Sequence, residues 1–240
     1  MKGLTAGDFV VLENDVPQKI TAFVDGDFPA AVALGVDRSF SMAGAPLTMA
    51  RTAGKAFVGS LKPDDRAMLV SISGEVEVLA PLSSDKGPLL KALDGLDAWS
   101  TTSLNDALIR SLDLLEGETG RRAIVVLSDG EDRYSTAKDA DVVARARRSD
   151  VLMYPIAIGK GRPALFPELA SITGGRSFVL KQPKSLQSTL QTIAADLRAH
   201  SLSGYEPKEA AGEGSDWRRI TVKVERPGVR VRARSGYSAR

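Results

Sequence analysis

The sequence predicts an α/β domain with a mostly parallel central sheet, helices on both faces, and a small antiparallel β module beside it. Three observations carry this expectation. The continuous apolar runs AVALGV at 31–36 and AIVVL at 123–127 have the composition of strands buried on both faces. Stretches with apolar residues at helical spacing alternate with such runs, the pattern that builds parallel sheets. The segments near the two ends of the chain instead carry short or residue-by-residue alternating strand patterns, which suits antiparallel strands with one wet face.

In order, residues 8–12 and 19–24 read as strands, and Glu13-Asn14-Asp15 between them predicts a hairpin. Residues 31–36 form the first buried strand. A helix follows over 46–61, with Pro46 in its first turn and Leu47, Ala50, Gly54, Phe57 and Leu61 along one face. Residues 66–73 and 75–79 are two strands joined tightly at Gly74, and 89–93 is helical. The helix at 103–115 carries Leu104, Leu108, Leu112 and Leu115 at helical spacing. After the strand at 123–127 come a helix over 137–148, a strand over 151–158 and a short helix over 166–172 that Gly174-Gly175 ends. A strand at 177–180 and a helix at 186–199 complete the alternation. Residues 217–224 and 229–233 return to strand character and are expected to pair with the opening strands. The main domain is drawn over residues 28–202, with the accessory β module made from 1–27 together with 203–240.

Composition bounds the function. The chain has 240 residues, 43% hydrophobic and 26% charged, which suits one substantial core with a small addition. No apolar run approaches the roughly 20 residues of a membrane-spanning helix, and the opening residues read directly into strand sequence without a signal peptide. Zero Cys excludes disulfides and thiolate metal sites. A single histidine, His200, read as a surface residue at a helix end, makes a zinc site or a Ser-His-Asp triad hard to assemble. The net charge is +2, but residues 216–240 carry eight Lys or Arg against Asp216 and Glu225, about +6 by count. Within that tail Arg230, Arg232 and Arg234 alternate with Val229, Val231 and Ala233. This is the pattern of a charged edge strand, and no aromatics interleave it for base stacking, so nucleic acid is not the expected partner.

The chemistry sits where loops leave the carboxyl ends of the predicted strands, the edge at which open α/β sheets bind ligands. Asp37-Arg38-Ser39-Phe40-Ser41 follows the first buried strand, Thr101-Thr102-Ser103 opens a helix, and Ser128-Asp129-Gly130 follows the strand at 123–127. Together they supply two carboxylates and at least three hydroxyls, with no nitrogen or sulfur donor. Oxygen-only ligation suits a hard divalent cation, Mg²⁺ first, with Mn²⁺ and Ca²⁺ as alternatives. Thr101 and Thr102 are both able to contribute, and Thr102 also reads as the N-cap of its helix. Asp106 suits the helix dipole, and Glu131 and Asp132 read as a solvated acidic rim.

These residues resemble a known family. Asp37-x-Ser39-x-Ser41 after the first strand, Thr102 four residues before Asp106-Ala107-Leu108, and a strand ending Ser128-Asp129-Gly130 are similar to the metal-ion-dependent adhesion site of von Willebrand factor type A domains. The resemblance spans roughly residues 31–200 and implies a Rossmann-like fold. It implies Asp37, Ser39, Ser41, Thr102 and Asp129 as metal ligands, some through water, and a sixth position that accepts a carboxylate from a protein partner. The opening Gly3 to Phe9 with Pro17 to Ile20, and the closing Gly204-Tyr205, Arg226-Pro227-Gly228 and Arg232 to Tyr237, resemble an acidobacterial-type bacterial subgroup. That similarity implies a secreted or extracytoplasmic bacterial protein whose export signal is absent from this chain. Where the family has small residues between the motif serines this chain has Arg38 and Phe40, candidates for contacting the partner rather than the metal.

The resulting expectation is a cation-dependent protein-binding module, for adhesion or scaffolding, that catalyses nothing. Two alternatives stand beside it: a metal-free structural interaction domain, and a metal-assisted phosphoryl-transfer enzyme with Asp37 as nucleophile. The enzyme reading lacks a second acid two positions after Asp37, a lysine phosphate clamp in the strand-edge motifs, and any P-loop.

Overall fold

The computed structural model describes residues 4–24, 26, 28–159, 161–199, 202–207, 217–224, 226 and 231–238. The chain opens with β1 (Phe9–Glu13), β2 (Val16–Gln18) and β3 (Ile20–Val24). Alternation follows in β4 (Ala30–Asp37), α1 (Ala45–Ser60), β5 (Arg66–Ile72), β6 (Val76–Ser83), α2 (Gly87–Asp94), α3 (Leu104–Leu114) and β7 (Arg121–Ser128). It continues through α4 (Asp139–Arg147), β8 (Leu152–Ile158), α5 (Leu165–Thr173), β9 (Phe178–Leu180) and α6 (Leu186–Arg198). Further strands among the described residues are β10 (Leu202–Tyr205), β11 (Trp217–Val224) and β12 (Gly236–Ser238).

Six strands form the central sheet in the order β6-β5-β4-β7-β8-β9, all parallel except β6, which hairpins back on β5 at the edge. Every residue of β4 is buried, as a strand covered on both faces must be. Its side chains alternate between two cores. Val32, Leu34 and Val36 join Phe57 of α1, Leu93 of α2 and Ile193 of α6. Ala31 and Ala33 join Leu108 of α3, Val142 of α4 and Leu169 of α5. Each large side chain so removed from water contributes roughly 1.5–3 kcal/mol. The pairing Asp37↔Ile72 on one side and Val36↔Leu127 on the other brings the ends of β4, β5 and β7 to one edge of the sheet.

The chain ends build two antiparallel sheets, β12-β11-β1-β2 and β10-β3. They meet through the Phe9 and Phe23 rings, whose centroids are 5.3 Å apart, and through Tyr205, whose hydroxyl donates to Glu13 at 2.6 Å. The segment before β12 is fastened to the α/β body. Ser235 N–H donates to the Ser171 carbonyl at 3.2 Å, and Arg232 donates to the Gly174 carbonyl at 3.1 Å and pairs with Asp196. Trp217 packs on the α3–α5 core and carries the Arg147 guanidinium 5.0 Å from its ring centroid.

Two expected pairings are corrected. Residues 8–12 and 19–24 do not form one hairpin: β1 turns at once into β2, with Glu13 opposite Val16, and β3 pairs with β10 instead. Asn14 and Asp15 both adopt positive φ, 47° and 68°, which closes a two-residue turn and leaves no span for a longer one. The strand expected over 229–233 is also absent where it can be seen. Val229 and Arg230 lie outside the described residues, Val231 to Ala233 are not strand, and Gly236–Ser238 pairs with β11. The contacts of Arg232 and Ser235 hold this stretch along α5 and α6. His200 lies outside the described residues.

Candidate metal centre

The loop after β4 is shaped by its own polar groups. Asp37 is buried at the strand end, where one carboxylate oxygen accepts the Ser39 N–H at 2.9 Å and the other accepts the Ser128 hydroxyl at 2.6 Å. A short 3₁₀ turn, Phe40–Met42, follows, and the Met42 side chain is driven into the core, which pins the loop. This turn brings the Ser39 and Ser41 hydroxyls to 3.0 Å from each other. Ser39 is buried and Ser41 exposed, so the pair runs from the strand end to the surface.

Asp129 leaves β7 beside this loop. Burial pushes the Asp37 carboxyl above its ordinary range, hydrogen bonds from Ser128 and Ser39 oppose that, and the charge of Asp129 raises it further. Gly130 has φ +86°, and a Cβ there would lie 2.2 Å from Pro163 Cγ, so glycine is required for the chain to turn away after Asp129.

Thr102 is buried before α3, and its carbonyl accepts the N–H groups of both Arg133 and Tyr134 at 3.0 Å. Among the described residues its hydroxyl takes part in no hydrogen bond. It is not the N-cap: that position belongs to Ser103, whose hydroxyl donates to the Gly74 carbonyl at 3.0 Å. The capping role is taken from outside the helix, which corrects the reading of Asp132 as a solvated acid. Asp132 accepts the Asn105 N–H at 2.7 Å, and the Ser135 hydroxyl accepts the Asp106 N–H at 3.1 Å. Asp106 reciprocates by accepting the Thr136 and Ala137 N–H groups, each at 2.9 Å.

The neighbouring loops are stitched to the first one. Phe40 N–H donates to the Ser100 carbonyl at 3.1 Å, and Trp99 N–H donates to the Arg38 carbonyl at 2.7 Å. Arg38 is half-buried, and its Nε is buried without a hydrogen-bond partner. Phe40, Trp99 and Tyr134 stand in solvent around this edge. Trp99 and Tyr134 escape sequence reasoning because no periodicity distinguishes an exposed loop aromatic from a buried one.

The donor set fits a hard cation. Asp37 is a buried carboxylate with no ion pair to Lys or Arg among the described residues, and a second carboxylate stands close enough to act on it. Such a group is costly to bury unless a cation offsets it. The surrounding donors are hydroxyls, which suit a hard cation. Among the described residues no group of three or more His, Cys, Asp or Glu could hold a metal ion, so a site here would rest on two carboxylates and hydroxyls.

Residues 32–131 match the family model of the von Willebrand factor type A domain. No curated protein matches the sequence. Among solved structures the fold is similar to a von Willebrand factor type A protein from Catenulispora acidiphila, at 16% identity and TM-score 0.65, over 80% of this chain and 50% of that one. It is similar to proximal thread matrix protein 1 from the mussel byssus, solved with a zinc-occupied adhesion-site motif, at 17% identity and TM-score 0.64, over 77% of this chain and 49% of that one. It is also similar to the von Willebrand factor domain of the type V pilus tip protein Mfa5 from Porphyromonas gingivalis, at 15% identity and TM-score 0.62, over 77% and 99%. The chain thus spans about half the length of the first two. The sheet order and the two helical layers agree with the family match, and the six-stranded body of this chain has the fold of von Willebrand factor type A domains.

Proposed function

We propose that this chain is a divalent-cation-dependent protein-binding module, for adhesion or scaffolding, and not an enzyme. The observation that carries the reading is the buried Asp37 carboxylate, uncompensated by any basic side chain among the described residues, beside Asp129 and the paired Ser39 and Ser41 hydroxyls. Asp37, Ser39, Ser41, Thr102 and Asp129 would hold the ion, Mg²⁺ first, with Mn²⁺ or Ca²⁺ as alternatives. When bound, the ion supplies a Lewis-acidic position for an anionic oxygen, and a carboxylate on the partner protein is the simplest source. Ser128 keeps Asp37 oriented, and the Arg133 and Tyr134 N–H groups fix the Thr102 carbonyl. Arg38 offers a second, charged contact to the incoming carboxylate, and Phe40 an apolar one. The zinc-occupied motif of the byssus protein and the pilus-tip setting of Mfa5 support a metal-bearing, extracytoplasmic adhesive role.

Calorimetric titration of chelator-treated protein with Mg²⁺ and Mn²⁺ tests this. One saturable ion is expected in the native chain and none in Asp37→Ala, with the far-ultraviolet spectrum unchanged. Undiminished ion binding by the folded variant would sink the assignment.

A further inference from the structure

The site carries more than charge at its mouth. Phe40, Trp99 and Tyr134 are 66%, 62% and 68% exposed, whereas Val179, the next large apolar side chain among the described residues, reaches 45%. The three most exposed therefore gather at one edge of one sheet, although they come from three loops far apart in sequence.

Backbone hydrogen bonds fix that gathering. Phe40 is tied to Ser100, Trp99 to Arg38 and Tyr134 to Thr102, at 3.1, 2.7 and 3.0 Å. Two of the aromatics are thus held beside proposed ligands, Phe40 between Ser39 and Ser41 and Tyr134 on the Thr102 carbonyl, and Trp99 is held beside Arg38. Ser100, next to Trp99, takes φ +62°, a left-handed conformation that costs a non-glycine residue of order 1 kcal/mol. The chain thus accepts strain in the very loop that presents its most exposed indole. Trp and Tyr side chains on a fixed backbone give large contact area, and they are among the residues that dominate binding energy at protein interfaces.

At the centre of this collar the chemistry is anion-seeking, and Arg38 brings a guanidinium whose buried Nε has no partner. A bare acidic side chain would satisfy the centre and leave three aromatic faces wet. We infer that the partner of this site is a protein segment in which an Asp or Glu is flanked, within about two residues, by aromatic, aliphatic or proline side chains that cover Phe40, Trp99 and Tyr134. The inference rests on the cation-dependent reading above. It divides the labour: the carboxylate makes binding require metal, and the apolar flank supplies most of the affinity and the choice among acidic partners.

The test is selection from a displayed library of random linear dodecapeptides on the full chain, with Mg²⁺ and with chelator, repeated on Asp37→Ala and on Trp99→Ala/Tyr134→Ala. The expected Mg²⁺-dependent sequences pair an acidic residue with a neighbouring apolar one. A synthetic copy of such a peptide should shift the Trp99 emission to the blue and bind the double variant at least tenfold more weakly, while that variant titrates with Mg²⁺ as the native chain does. Selected peptides that carry acid alone, or that bind the double variant as well as the native chain, overturn the collar and leave the metal reading standing. Peptides that ignore both chelator and Asp37→Ala overturn the metal reading itself. Recovery of no peptide that prefers the native chain to the double variant, or comparable binding to phosphatidylserine vesicles, also overturns the collar.

Discussion

Asp132 caps a helix it does not belong to, reaching Asn105 across 27 residues of sequence. The first turn of α3 has N–H groups that no helical carbonyl can satisfy, and here Asp132 and Ser135 take two of them. Asp132→Ala removes that acceptor and also frees the Ser135 hydroxyl, now 2.5 Å from the carboxylate. The expected loss is about 1–2 kcal/mol in urea unfolding, with faster amide exchange at Asn105. An unchanged exchange rate there would show that the cap is dispensable. The place of Asp37, Ser39 and Ser41 at the sheet edge could be read from the sequence because a short motif sits directly after a buried strand. Asp132 could not, because its partner is set by how two loops meet and not by local spacing. The same holds for Tyr134, whose exposure follows from a hydrogen bond to Thr102.

At the scale of elements, apolar content identified β4 and β7 within a residue or two, since a strand covered on both faces has little choice of composition. The hairpin partner of β1 was less legible. Lys19 to Val24 has good strand character, but the turn at Asn14 and Asp15 closes first on Val16–Gln18. Strand β10, Leu202–Tyr205, gives no signal: it is four residues long and contains Gly204. Gly175 after α5 was legible as a stop, and the structure supplies a stronger reason for it. A Cβ at Gly175 would lie 1.9 Å from the Met153 carbonyl oxygen of β8. Backbone on both sides of that contact cannot yield cheaply. Gly175→Ala should therefore cost about 3 kcal/mol, read as a lowered denaturation midpoint at unchanged slope. A loss below about 0.5 kcal/mol, the range of an ordinary surface substitution, would mean that the loop simply moves aside.

For the molecule as a whole, the two ends of the chain are joined around one buried carboxylate. Glu13 accepts the Tyr205 hydroxyl at 2.6 Å and the Tyr237 hydroxyl at 2.9 Å, and pairs with Arg218. Burial alone would raise its pKa. The hydrogen bonds from Tyr205, Tyr237 and Arg218 outweigh burial and hold it below the ordinary carboxylate value of 4.5. A depressed folded pKa means that this stabilisation is complete above the unfolded value and is lost as pH falls through the folded one. The melting temperature should thus drop below about pH 4.5, partly through this group. In Glu13→Gln that part of the slope should vanish, and at pH 7 the variant should melt about 5 °C lower. Equal acid slopes in the two proteins would remove Glu13 from the account.

The pairing of β1 with β11 also orders events during synthesis. Phe9 lies opposite Val224, so β1 waits until β11 has been made before this ladder can close. Closing so long a loop adds little to the final entropy cost, which grows only with the logarithm of length, but it does delay the contact. Until then β1 is an open strand edge, available to any other unfinished chain. The six-stranded body, with its shorter connections, can form meanwhile, and the pairing of β1 with β11 then closes this edge of β1.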